Sequence, residues 1–291
     1  MTPKLGPLIE APEILVAPGV YDAMTAAVAE AAGFKAVYLS GAAVAYTRLG
    51  RPDIGLSTMS EMADTLALVR DRIDLPIVID ADTGFGNALN AQRTMRIYER
   101  AGASALQVED QTFPKRCGHL SDKTLIPATE MEGKIAAMAE ARREDTLIIA
   151  RTDAIAVEGF EAALERGERY VAAGADMLFI EAPRSRAHLK QIAGQFENRV
   201  PLMANMVEGG DTPMTDARDL EGLGFSLVIF PGGIVRALMR TAEDYYTSLK
   251  TTGSNTAFSD RMHDFKGLNE RLGTADMLSR GQRFDPGTAT G

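Results

Sequence analysis

The feature that most constrains this chain is a rhythm, in which short runs rich in Val, Ile and Leu alternate with longer helix-period stretches from near the N-terminus to about residue 232. The runs are ILVAPGV (14–20), KAVYLSG (35–41), PIVIDAD (76–82), ALQVED (105–110), LIIARTD (147–153), MLFIEA (177–182), PLMANM (201–206) and SLVIFPG (226–232). Buried apolar strands separated by helices mark β/α units on a parallel sheet. A weak internal repeat runs with them: AAGFKAVYLSG, RAGASALQVED, AAGADMLFIEA and GLGFSLVIFPG each pass from a helix end, through glycine, into a strand. Glycine suits the left-handed cap that turns a helix back toward the sheet. Eight units fit an α/β fold of the (β/α)8 TIM-barrel type, since an open sheet would bring fewer strands and an early glycine-rich phosphate loop.

In the stretch NALNAQRTMRIYERAG, Leu89, Met95 and Tyr98 recur at roughly helical spacing. Residues 1–252 are expected to form the barrel and 253–291 a helical extension ending in the tail FDPGTATG, which reads as disordered. At 45% hydrophobic and 24% charged residues, the chain can bury a large core without metal or disulfide staples. A single cysteine precludes an intramolecular disulfide and suits a reducing compartment, so the cytoplasm is expected. The N-terminal stretch lacks a signal-peptide pattern, and no run approaches the roughly 20 apolar residues of a membrane span. A net charge of −9 with scattered Lys and Arg disfavours a nucleic-acid partner.

In such barrels the chemistry lies where strands end at the C-terminal face. Here the ends carry Ser40 and Gly41, Asp80 and Asp82, Glu109 and Asp110, Arg151 and Asp153, Glu181, and Asn205. Acids crowded at one mouth repel each other, and a divalent cation is the usual neutraliser. An oxygen-rich, histidine-poor site favours Mg²⁺ or Mn²⁺ over zinc. In DADTGFG, Asp80 and Asp82 are spaced to project to the same side and share one ion or its waters; the other reading makes one a helix cap and the other a turn acceptor. Asp53, in RPDIGLS, either reaches the same site or caps a turn.

The one cysteine, Cys117, sits in KRCGHL on a loop of about seventeen residues after the fourth strand, long enough to read as a lid. Lys115, Arg116 and His119 surround it with charge that would stabilise a thiolate or keep the thiol poised as an acid or base. The other reading makes Cys117 a small buried hydrophobe and His119 a plain loop residue. No lysine falls at a strand end, which argues against Schiff-base chemistry.

Together, DADTGFG, VED, KRCGHL and ARTDA resemble the isocitrate lyase/phosphoenolpyruvate mutase superfamily, and within it the methylisocitrate and 2,3-dimethylmalate lyases, from about Ala17 through the last helices. The resemblance implies a (β/α)8 barrel, Mg²⁺ dependence, and a homotetramer with a C-terminal helix swapped between subunits, SDRMHDFKGLNERLG being the candidate segment. It implies that Asp82 binds the metal, that Asp53, Asp80 and Glu109 hold its waters, and that Ser40, Gly41 and Ala42, after Tyr38, cradle a substrate carboxylate. It further implies that Arg151 and His119 bind the α-keto acid portion with Glu181 behind them, and that Asn205 meets the second carboxylate. Gly118, beside the thiol, and Pro231, in the FPGG segment, complete the expected pocket.

The implied reaction is cleavage of a carbon–carbon bond in a 2-hydroxy di- or tricarboxylate, with Cys117 protonating the resulting enediolate. One departure bears on the substrate: methylisocitrate lyases continue after the Asn with a Thr-Glu-Phe-Gly run, whereas this chain reads NMVEGGDTP. A substituted malate is therefore expected ahead of a tricarboxylate. Hydrolysis or decarboxylation of oxaloacetate and phosphonopyruvate chemistry remain alternatives within the superfamily, and a non-catalytic metabolite-binding barrel lies outside it.

Overall fold

Eight short strands, each nearly devoid of exposed residues, pair in parallel around a closed ring in a computed structural model that describes residues 4–118, 122–213 and 215–285. They are β1 (Leu15–Val20), β2 (Val37–Leu39), β3 (Ile77–Asp80), β4 (Ala105–Glu109), β5 (Leu147–Thr152), β6 (Met177–Ile180), β7 (Met203–Asn205) and β8 (Leu227–Phe230). Each falls inside the run expected to contain it. The order runs β6-β5-β4-β3-β2-β1-β8-β7, and a parallel bridge from Leu178 to Leu202 joins the two ends, making a (β/α)8 barrel.

Burial on both sides explains the apolar runs, because one face of every strand fills the barrel and the other meets helices. The interior packs Leu15, Ala17, Val78, Ala105, Ile149, Met177, Phe179, Leu227 and Ile229. The short helix Leu5–Ile9 closes the bottom of this layer through Leu5 and Ile9. A local signal for that helix is hard to read, since LGPLI holds no cap and only five residues. The outer layer on helix Ala88–Arg100 differs in one detail from expectation: Ala91, Thr94, Met95 and Tyr98 are buried, but Leu89 is 72% exposed. Leu89 stands in the first turn, just past the Asn87 cap, and the packed stripe begins only at Ala91.

The chain forms two compact units, Met1–Val235 and Arg236–Gly291, and residue 252, the expected boundary, ends helix Gly233–Thr252, whose buried residue among those described is Val235. The second unit contains the turn Thr256–Arg261 and helices Phe265–Leu272 and Thr274–Gln282. Its one buried hydrophobe is Phe258, held edge-on by Tyr245 and covered by the Arg261 guanidinium at 4.3 Å. Neither terminal helix buries a residue within the described chain. Of the tail FDPGTATG, 284–291, expected to be disordered, residues 286–291 lie outside the described residues.

Candidate active site

Strand register gathers the charged residues at the C-terminal mouth. Asp80 pairs with Gln107 across β3 and β4, and Glu109 pairs with Arg151 across β4 and β5. In-register parallel neighbours place side chains of one parity side by side, so the Glu109 carboxylate meets the Arg151 guanidinium at 3.3 Å. Just beyond β3 the backbone turns through Asp82 at φ 46°, and the Glu109 amide donates to the Asp82 carbonyl at 2.8 Å, which fixes that turn. Aspartate tolerates the left-handed region better than most side chains. The Asp80 carboxylate accepts from the Asp82 amide at 3.1 Å and from Gln107, whose own carbonyl oxygen accepts the Tyr38 hydroxyl at 2.5 Å.

Asp53, Asp80, Asp82 and Glu109 are all buried in this half of the mouth. The ammonium of Lys115 lies among them, 2.7 Å from Asp53 and 2.8 Å from Asp82. Its charge is therefore committed to acids rather than to the neighbouring thiol. Burial pushes Asp82 up to about 7 although Lys115 opposes the shift, and burial likewise raises Glu109 against the pull of Arg151. Among the described residues no donor reaches the buried Glu109 Oε1. The same burial, with Asp80 nearby, raises the Tyr38 phenol far above its ordinary range, so Tyr38 stays protonated.

The second half centres on Arg151. Its Nε and Nη2 fork onto Asp153 at 2.9 and 3.0 Å, Nη2 also meets Glu181 at 3.3 Å, and its plane lies over Phe179. Asn205 donates to Glu181 at 3.1 Å, while its own oxygen is buried and no donor among the described residues reaches it. Burial works against ionising Asp153, but Arg151 and Lys123 outweigh it and bring its carboxyl down to about 2. Behind it, Asp110 accepts from Thr152 Oγ1, the Asp153 amide and Tyr170 OH at 2.7, 3.0 and 2.7 Å.

The Cys117 loop is docked on both halves. Gln111 bridges to Leu125 at its base, and Gln111 also exchanges two bonds with the backbone of Arg116. The Cys117 amide donates to the Asp53 carbonyl at 3.2 Å. Gly118 lies directly on the Arg151–Glu181 pair, where a Cβ would fall 2.5 Å from Arg151 Nη2 and 2.7 Å from Glu181 Oε2; only glycine fits. His119 lies outside the described residues.

Ser40 caps the turn Gly41–Val44, accepting from the Ala43 amide, and a Cβ on Gly41 would come within 2.9 Å of Asp80, so Gly41 and Ala42 line the same mouth. Pro231 follows β8 and packs its carbonyl against Gly19 of β1. Sequence reasoning noted Asp110 and Asp153 as strand-end acids without a role, and passed over Lys123 and Gln107. Arg151 and Asp153, two residues apart, carried a legible pairing signal, whereas a loop lysine carries none.

The donors are oxygens, the chemistry that hard divalent cations select. Among the described residues no three His, Cys, Asp or Glu side chains close into a cage. Mg²⁺ does not require one, because it keeps several waters and takes one or two carboxylates. The acid half, where four carboxylates face Lys115 and one Arg151 contact and no described donor reaches Glu109 Oε1, fits such an ion.

A barrel with acids, a paired arginine and a docked loop at its C-terminal mouth has the site layout of a TIM-barrel enzyme. The phosphoenolpyruvate phosphomutase family model matches residues 5–250. The 2,3-dimethylmalate lyase of Eubacterium barkeri is 41% identical over 93% of each chain. The 2-methylisocitrate lyase of Aeropyrum pernix is 44% identical over 94% of this chain and 87% of its own. Among solved structures, an oxaloacetate acetylhydrolase bound to 3,3-difluorooxalacetate superposes with a TM-score of 0.91 at 30% identity, covering 97% of both chains. The chain belongs to the isocitrate lyase/phosphoenolpyruvate mutase superfamily, as a carbon–carbon lyase.

Proposed function

We propose that the chain cleaves a carbon–carbon bond of a 2-hydroxy dicarboxylate, with a substituted malate such as 2,3-dimethylmalate ahead of methylisocitrate. Supporting this reading most directly is the docking of the Cys117 loop, whose amide bonds Asp53 while Gly118 rests on Arg151 and Glu181. The backbone of the chain's only cysteine is thus bonded to the acid half, and the residue after it touches the cationic half.

Asp82 would hold Mg²⁺, or Mn²⁺ in its place, with Asp53, Asp80 and Glu109 holding its waters. The ion supplies Lewis acidity to the substrate hydroxyl and its adjacent carboxylate. Arg151, braced by Glu181 and joined by His119, binds the portion that leaves as an α-keto acid, while the Gly41 and Ala42 turn and Asn205 receive the carboxylates. Gly118 and Pro231 wall the pocket. Tyr38 stays protonated and orients Gln107, which orients Asp80.

As the hydroxyl passes its proton to a carboxylate of the mouth, from which the spent Cys117 thiolate is afterwards restored, a carbonyl forms, the carbon–carbon bond breaks, and its electron pair passes to the carbon beside the second carboxylate. Cys117 Sγ then gives its proton to that carbon. The docked loop keeps water from the intermediate.

The segment NMVEGGDTP favours a dicarboxylate over a tricarboxylate. The likeness to the acetylhydrolase keeps oxaloacetate hydrolysis as the second reading. Incubation with 2,3-dimethylmalate, other substituted malates, methylisocitrate, isocitrate and oxaloacetate, with Mg²⁺ and with chelator, separates them. Chelator-sensitive release of an α-keto acid from a malate supports the lyase, whereas turnover of oxaloacetate alone moves the chain to the hydrolase.

The proposed assembly is a homotetramer of two-part chains, 1–252 and 253–291, that exchange the last helices. Phe265, Leu268, Leu272, Met277 and Leu278 stand exposed there, Phe265 at 86%, and a second copy would cover them.

A further inference from the structure

Lys123 stands at the far end of the loop that carries Cys117, with its side chain only 2% exposed. A lysine buried that deeply holds its charge only where partners replace water. Its ammonium has two partners: it donates to the Gly118 carbonyl and to Asp153 Oδ1, the latter at 2.9 Å. Gly118 is the residue directly after Cys117.

Asp153 is a firm anchor. Arg151 grips both its oxygens, and its amide donates to Asp110, itself held by Thr152 and Tyr170. A tie to Asp153 is thus a tie to the barrel wall. Lys123 and Arg151 share Asp153 Oδ1, and the Arg151 guanidinium also meets Glu109 and Glu181 at 3.3 Å each.

We infer that Lys123 is a positioning residue that sets Cys117 against the reacting carbon by tying the Gly118 carbonyl to Asp153. The inference rests on the reading of Cys117 as proton donor, yet the tie itself is tested without turnover. Because Cys117 is the only cysteine, alkylation by iodoacetamide reports on it alone. The limiting rate at high pH, where the thiol is fully ionised, separates exposure from acidity.

Lys123→Met should raise that limiting rate about ten-fold or more, the effect of losing a hydrogen bond to a charged group. In the wild type's best substrate its kcat should fall at least as far with KM little changed, and Lys123→Arg should restore both. A folded Lys123→Met alkylated at the wild-type rate overturns the inference, whatever happens to kcat. So does faster alkylation that comes with a large fall in Tm and is not reversed by Lys123→Arg. If Lys123→Met does not fold, Lys123→Gln, which keeps a donor without the charge, is held to the same criterion. Faster alkylation beside a wild type that cleaves none of the acids would leave the tie standing and remove the proposed reaction.

Discussion

At the β2–β3 side of the mouth, Asp53 and Asp82 share one ammonium with Asp80 and Glu109 close by, whereas at the β5–β6 side Arg151 and Lys123 interlock with Asp153 and Glu181. The two halves are equally buried, so the contrast is one of charge balance. In the first half the uncompensated acids move toward neutrality, as Asp82 near 7 and the raised Glu109 record. In the second half the cations hold Asp153 at about 2. On the proposed reading the first half would take a further cation, whereas the second is already balanced by its own cations. Burial of a charge destabilises unless it is paired, and here the unpaired half is where chemistry remains to be supplied.

Substitutions should expose that contrast. Asp82→Ala should cost the most, about 10³-fold or more in kcat/KM together with loss of Mn²⁺ binding by paramagnetic resonance. Cys117→Ser should lower kcat about 10²-fold or more with KM nearly unchanged, as expected for a proton donor. For stability the halves should respond in opposite directions. Asp153→Asn strands Arg151 and Lys123 and should cost about 3 kcal/mol in urea unfolding. Asp82→Asn, relieving repulsion in the metal-free protein, should be neutral or stabilise by about 1 kcal/mol; an equal loss in both variants would erase the contrast.

A smaller effect appears with pH. Because the folded value for Asp153, about 2, lies below its ordinary 3.8, its contribution is present above about pH 4 and lost as pH falls through 2. That contribution is about 2 kcal/mol, and Asp153→Asn should lose correspondingly less stability than wild type between pH 5 and 2.5 in matched urea titrations, with the approximate pH limits following from the same linkage.

The barrel itself was legible because each strand is buried on both faces and must be apolar along its length. The acids of the mouth were legible because they interrupt those runs at their ends. Leu89 misled because an amphipathic period extends into a cap turn that packs on nothing. Lys115 was legible as a cation beside Cys117 but not as the counter-ion of Asp53 and Asp82, since Asp53 is more than sixty residues distant. Lys123 was hidden, and Asp110 was visible only as a strand-end acid without a partner, for the same reason: a buried ion pair has no local periodicity.

Local chemistry along the chain determined the eight β/α units, the acids at the strand ends and the membership in a lyase superfamily, because hydrophobic period and short motifs are properties of neighbours in sequence. Tertiary structure alone decided which acid meets which cation. Strand register set Glu109 against Arg151, a left-handed turn aimed Asp82, and loop docking carried Lys115 and Lys123 to opposite halves of the mouth. Coulomb energies depend on distances of a few ångströms between residues remote in the chain, and only the closed barrel fixes those distances.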